Sequence, residues 1–290
     1  MPWKRSGRRS ARRVDGMTAT RWDSAAARPA LGAHVSVAGG LELAFERAAR
    51  IGCEAIQVFV KSPSRWALPP VDEGSRGAFV RARRRFPGFV GAHAAYLINL
   101  AAGDRTLRRR SVEALGEELR RCGELGIDAL VVHPGSHLGA GVAVGLERVA
   151  QGIEEVVEIV EASTARGSAP VRLLIENTAG GGNHLGADLE QLETLLARCA
   201  LPVARLGVCL DTCHAFAAGV PIHRARGRQQ WLDELSRGIG LERVGLRTST
   251  TRGRHSARGA TVMRTSAQAP SAAGPSAASC VIRDCAGFRW

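Results

Sequence analysis

His93, His133, Glu176, Asp211 and His214 are the side chains of this chain best suited to bind a metal ion or move a proton. Each stands at or just past the end of a short apolar run: FVGAHAA (89–95), ALVVHPG (129–135), VRLLIENT (171–178) or RLGVCLDTC (205–213). Imidazoles and carboxylates gathered in one place are metal donors. A mixed nitrogen–oxygen set suits Zn2+, Mn2+ or Fe2+, whereas Mg2+ and Ca2+ prefer all-oxygen shells. A lone histidine at a strand end is ordinarily a hydrogen-bonded core residue. Five such groups on one rim read differently, because burying that many ionisable side chains without a cation is costly. His34, at the end of LGAHVS (31–36), is evenly balanced between the two readings. His137, His184 and His223 read as structural or surface residues.

Those groups can converge only if the chain brings the run ends together. From about residue 30 the sequence alternates six apolar runs (the four above, LGAHVS and AIQVFV at 55–60) with amphipathic segments. The runs are short, rich in Val, Ile and Leu, and end in Gly, Pro, Asn or Thr, which suits parallel strands buried on both faces. Residues 41–52, 106–126, 145–163 and 188–200 carry helical periodicity, with Gly52 a C-cap and Asp188 an N-cap. Repeated β-then-α units point to a (β/α) barrel or a doubly wound sheet. The first strand is not followed by GxGxxG, which weakens a dinucleotide-binding reading. In a parallel barrel every strand's C-terminal end opens onto one face, where active sites are built.

The net charge of +13 suggests nucleic acid, but its distribution does not. Residues 1–30 carry eight basic and two acidic side chains, and residues 245–290 carry seven and one. The stretch 31–244 holds 25 basic and 24 acidic, so the body is nearly neutral and the basicity sits in the ends. Arg outnumbers Lys 38 to 2, as a GC-rich gene would produce. The hydrophobic fraction of 45% excludes a wholly disordered chain, and no apolar run reaches the ~20 residues of a membrane span. The seven Cys are irregularly spaced; Cys209 and Cys213 form a CxxxC that reads as reduced, buried thiols. The N-terminus lacks the apolar core of a signal peptide, and Met17 is an alternative start.

At these residues the chain resembles the endonuclease IV family of apurinic/apyrimidinic endonucleases. The matching strings are GAHVSVAGG (32–40), HAAYLINLA (93–101), HPGSHLG (133–139), IENTAGGG (175–182) and GVCLDTCHAFAAG (207–219), in order over about 31–244. The resemblance implies a zinc-dependent enzyme of base excision repair on a TIM-type (β/α)8 barrel, with three zinc ions. It would hydrolyse the phosphodiester 5′ to an abasic site in double-stranded DNA and leave a 3′-hydroxyl. Carried over by motif, His93 and His133 would ligate one zinc, Glu176 would bridge it to a second, Asp211 would bind the second and His214 the third. Such a centre supplies a nucleophile, neutralises the phosphate and stabilises the leaving oxygen. Tyr96 and Leu97 resemble the family's DNA-inserting loop, which wedges into the stack while the abasic sugar is extruded. In KSPSRW (61–66) the family usually has Arg two residues before the Trp; here Ser64 stands there and Arg65 follows, so Arg65 is the candidate DNA contact. The resemblance further implies a bacterial cytoplasmic monomer working at the nucleoid.

The match ends after Val244. The family continues with strands and loops carrying H-L-N-D-S, D-R-H and L-E-T, which supply four more ligands. Residues 245–290 are instead rich in Ala, Ser, Arg and Gly, without periodicity. Residues 246–252 can be back-translated so that the frame starting at the third base reads S-H-L-N-D-S. In that same frame 259–266 permits R-D-R-H-A-H-I, and 279–290 permits a family-like run into the last strand. A frameshift near 244–247 therefore explains the tail, and resequencing that codon tests it. The expected organisation is a disordered basic extension (1–29), an endonuclease IV-like barrel (30–244) of six to seven βα units, and a disordered tail (245–290). Such a barrel would have open edges at its first and sixth strands, fewer zinc ions and impaired activity. The competing functions are a sugar(-phosphate) isomerase or epimerase on a similar metal-dependent barrel, and an inactive remnant binding nucleic acid non-specifically through its tails.

Overall fold

The computed structural model describes residues 30–163, 170–251, 260–261, 263–264 and 280–284. The basic extension and most of the tail lie outside the described residues. Within them the alternation seen in the sequence becomes seven parallel strands: β1 (Ala30–His34), β2 (Ala55–Val58), β3 (Phe89–His93), β4 (Ala129–Val132), β5 (Arg172–Glu176), β6 (Leu206–Asp211) and β7 (Val244–Thr248). Consecutive strands pair in sequence order from β1 to β7, so the sheet curls as a TIM-type barrel does.

The helices between them are α1 (Leu43–Arg50), α2 (Glu73–Arg85), α3 (Arg105–Leu125), α4 (Val142–Ser163), α5 (Leu189–Cys199), α6 (Thr212–Ala217) and α7 (Ala225–Gly238). All four residues of β2 and of β4 are buried, because the barrel interior covers one face and the helices the other. Four aspartates start helices by accepting a backbone N–H three residues on: Asp72, Asp104, Asp188 and Asp211. Helix α3 turns Val112, Leu115, Leu119 and Cys122 inward and ends at Gly126 in the left-handed conformation (φ 70°). Gly32 lets β1 approach β2, since a Cβ there would lie 1.8 Å from the Ala55 carbonyl oxygen.

Three helices, α2, α6 and α7, lie outside the segments whose periodicity marks a helix; α6 is six residues long, too short to show a period. Helix α2 is so rich in Arg that its inward face reduces to one fully buried side chain, Phe79, too little periodicity to recognise. Helix α7 likewise buries only Gly227, Trp231 and Leu235.

The expected open edges at β1 and β6 are not found. Strand β7 runs to Thr248, past the end of the family match, and pairs with β6 through Val208↔Val244 and Cys209↔Leu246. Leu246 and Thr248 are buried, so an alternating apolar start is enough to hold this strand in the sheet. Beyond it, β8 (Thr250–Thr251) pairs with β9 (Ala260–Thr261), and β10 (Met263–Arg264) pairs antiparallel to β1. Strand β11 (Cys280–Asp284) lies parallel between β1 and β7, in the place of an eighth barrel strand. No helix connects β7 to β11 among the described residues, so the eighth βα unit is incomplete. No described helix is long and apolar enough to cross a membrane.

Candidate metal centre and its rim

The strand-end residues meet. His93 closes β3, His133 follows β4, Glu176 closes β5, Asp211 closes β6 and His214 lies in the first turn of α6. His93 Nε2 lies 3.1 Å and His133 Nε2 3.4 Å from Glu176 Oε2; His214 Nδ1 lies 3.5 Å from Glu176 Oε1 and 3.9 Å from Asp211 Oδ1. Two sets of donors result, His93–His133–Glu176 and Glu176–Asp211–His214, each with its ligand atoms within 4.8 Å of one another. Glu176 belongs to both. The resemblance assigned His214 to a separate ion; here it groups with Glu176 and Asp211.

Hydrogen bonds fix these side chains from behind. His93 Nδ1 donates to the Ala94 carbonyl at 2.7 Å and His214 Nδ1 to the Asn177 carbonyl at 2.8 Å. Each bond sets the tautomer and leaves Nε2 for another partner. Asp211 Oδ1 caps α6 through the His214 N–H at 2.7 Å, while the buried Thr248 hydroxyl donates to Oδ2. Asn177 clasps the Asp211 backbone on both sides, accepting from its N–H at 2.6 Å and donating to its carbonyl at 3.0 Å. Asn177 and Thr248 support the site without appearing among the sequence candidates. Asn177 lies inside the matching string IENT, whereas nothing marks Thr248 in the chain.

The electrostatics fit a cation. Burial acts to raise the Glu176 carboxyl, but hydrogen bonds and charge from His133 and His93 outweigh it and hold the group well below the usual carboxylate range. Burial acts to lower His93, and its contacts with Glu176 more than offset that, so it lies above the ordinary histidine value. His133 is lowered, chiefly by burial. Both His93 nitrogens face acceptors, the Ala94 carbonyl and Glu176, so Nε2 needs either a proton or a metal ion between it and the carboxylate. The donor set therefore fits a metal.

His34 joins neither group. It is half-buried, its ring centroid lies 4.4 Å from that of Phe59, and burial pushes its pKa down to about 3. His137 Nδ1 accepts the Gly141 N–H, His184 Nδ1 donates to the Gly181 carbonyl, and His223 meets Phe216 edge-on. Cys209 is buried, as the sequence suggested, whereas Cys213 is only half-buried.

The rim carries the other candidates. Tyr96 is 49% exposed, with its ring centroid 5.3 Å from that of His93 and 5.6 Å from that of Phe59. Leu97 beside it is half-buried, and Arg65 is exposed on the neighbouring loop. The Tyr96 N–H donates to the Pro63 carbonyl at 3.0 Å, which joins the two loops. Asn99 ties the Tyr96 loop to the one after His133, donating to the Ser136 carbonyl and accepting its N–H.

Residues 45–246 match the family described as "Xylose isomerase-like TIM barrel". The chain is 43% identical over 218 residues to the "Probable endonuclease 4" of Nitratidesulfovibrio vulgaris, covering 75% of each protein. It is 37% identical to the crystal structure of endonuclease IV from Thermus thermophilus, with a TM-score of 0.65 over 76% of this chain and 75% of that one. A D-tagatose 3-epimerase-like protein superposes with a TM-score of 0.56 at 22% identity over 74% of each chain, a likeness of fold alone.

Proposed function

Because this chain belongs to the endonuclease IV family, we propose that it is a DNA-repair endonuclease that hydrolyses the phosphodiester 5′ to an abasic site and leaves a 3′-hydroxyl. The observation that carries the reading is the Glu176 carboxylate, buried and shared by two metal-donor groups, with the exposed Tyr96 ring beside the imidazoles of His93 and His133. The metal is zinc, which suits imidazole with carboxylate. Bound there, it supplies Lewis acidity, making water a nucleophile near neutral pH and neutralising phosphate charge.

The chain's own residues supply the rest. Glu176 is the catalytic carboxylate that holds the two donor groups around one point. His93 and His133 complete one group, and Asp211 and His214 the other. Tyr96 and Leu97 wedge into the duplex where the abasic sugar leaves a gap in stacking. Arg65 takes a backbone phosphate as a charge-assisted donor. The substrate is double-stranded DNA, the working form a monomer and the compartment the bacterial cytoplasm.

Each donor group holds three ligands where a closed zinc site has four. Among the described residues there are two such groups where the family resemblance implies three ions, and weakened activity is the expected consequence. The test is incision of a labelled duplex bearing one abasic site, with zinc and with chelator, by this chain and by a version with residues 246 onward in the shifted frame. Chelator-sensitive cleavage 5′ to the abasic site, stronger in the second protein, supports the reading. No incision by either protein refutes it.

A further inference from the structure

We propose that Lys61 and Glu118 form a positioning pair that locks the loop bearing Arg65 and the loop bearing Tyr96 and Leu97 into one DNA-facing rim, an inference that rests on the nuclease reading above. The chain holds 38 Arg and only two Lys; Lys4 lies outside the described residues, so Lys61 is the single lysine of the barrel. It is also buried, with a side chain 1% exposed, and so is its partner Glu118 on α3. Lys61 Nζ donates to the Trp66 carbonyl at 2.9 Å and lies 3.2 Å from Glu118 Oε1. The same Oε1 accepts the Ala95 N–H at 3.3 Å, one residue before Tyr96. One ion pair thus bonds the end of KSPSRW to the start of the Tyr96 loop, and the Tyr96 N–H to Pro63 closes the circuit.

Helix α3 grips the flanks as well. Arg121, one turn beyond Glu118, donates to the Val60 carbonyl at 3.2 Å and to the Pro69 carbonyl at 2.6 Å. The Arg110 guanidinium lies 4.5 Å over the Trp66 ring. The residue type at 61 matters. A compact ammonium on a flexible stem can reach a carbonyl and a carboxylate in a closed space, whereas a guanidinium is a rigid planar fork. A buried ion pair is weak support for stability, since well-packed apolar residues of similar volume often serve the fold equally. What apolar residues cannot do is bond the Trp66 carbonyl and the Ala95 N–H together. The pair's distinctive effect is therefore on loop placement.

The test compares wild type, the double variant K61M/E118L, and E118Q, which keeps the size and the acceptor. Three readouts are used: thermal midpoint, amide hydrogen exchange over 61–66 and 94–98, and the ratio of affinities for abasic and intact duplexes. For K61M/E118L we expect cooperative unfolding, exchange faster by about tenfold in both stretches together, and an affinity ratio lower by about tenfold; E118Q should keep both within about twofold. A folded K61M/E118L with unchanged exchange in either stretch, or an unchanged affinity ratio, overturns the proposal. Should the double variant fail to fold, K61R decides, since it keeps the charge but not the geometry: the same two losses support the pair and their absence overturns it. If wild type shows no preference for the abasic duplex, the nuclease reading falls, and the exchange data alone decide the coupling.

Discussion

Glu176→Gln is the substitution that tests the metal centre most directly. Glu176 is 4% exposed, and its two oxygens face three imidazole nitrogens at 3.1, 3.4 and 3.5 Å. An amide keeps the shape but replaces a negative oxygen with a neutral acceptor and a donor. Because Glu176 is the shared member of both donor groups, each drops from three charged or lone-pair ligands to two good ones. Four-ligand zinc sites bind with about 10–16 kcal/mol, or about 3 kcal/mol per ligand, so losing one ligand should weaken each group by about 100-fold. The assay is zinc titration by calorimetry at neutral pH, with metal content after dialysis measured by elemental analysis and the fold checked by circular dichroism. The expected outcome is a folded protein that loses essentially all dialysis-resistant zinc. Glu113→Gln, which alters an exposed pair with Arg109, should change nothing. A folded Glu176→Gln protein that binds zinc within threefold of the parent would sink the reasoning, because no shared carboxylate could then be organising the site.

Tyr96→Ala should lower affinity for an abasic duplex by about 5–150-fold, the worth of one aromatic–base stack, without moving the thermal midpoint, since the ring is 49% exposed. Fluorescence anisotropy with abasic and intact duplexes reads it. Phe79→Ala should cost about 3–5 kcal/mol in urea unfolding, because the ring is fully buried and meets Phe45 edge-on at 4.9 Å. A loss under about 1 kcal/mol would mean α2 does not pack as described. Burial raises the Glu118 carboxyl above 4.5, so this group favours the folded state below that pH, and the contribution is lost as pH rises through the raised folded value. Glu118→Gln cannot ionise, so its stability relative to the parent should increase as pH climbs through that window; parallel curves would contradict the shift. Cys199 is 3% exposed with its thiol pushed up to about 12, so alkylation of the native protein at pH 8 should label half-buried Cys53 well before it, as peptide mapping would show.

The alternation of strands and helices, and the placing of His93, His133, Glu176, Asp211 and His214 at strand ends, were legible in the chain. Both follow from local rules. A strand buried on both faces must be a short apolar run, and a polar residue at its end marks where the interior stops. The helix start at Asp188 was equally legible, because capping depends on a side chain and an amide three residues away. That Glu176 stands between two donor groups is an outcome of the assembled sheet, which depends on how far β3, β4, β5 and β6 curl toward one another. The same holds for the support from Asn177 and Thr248, the burial of Lys61 against Glu118, and the filling of the seam between β7 and β1 by Cys280–Asp284. Each of these joins residues far apart in the chain. No local pattern encodes them, because a lysine or a threonine looks the same in sequence whether its partner is water or a buried carboxylate.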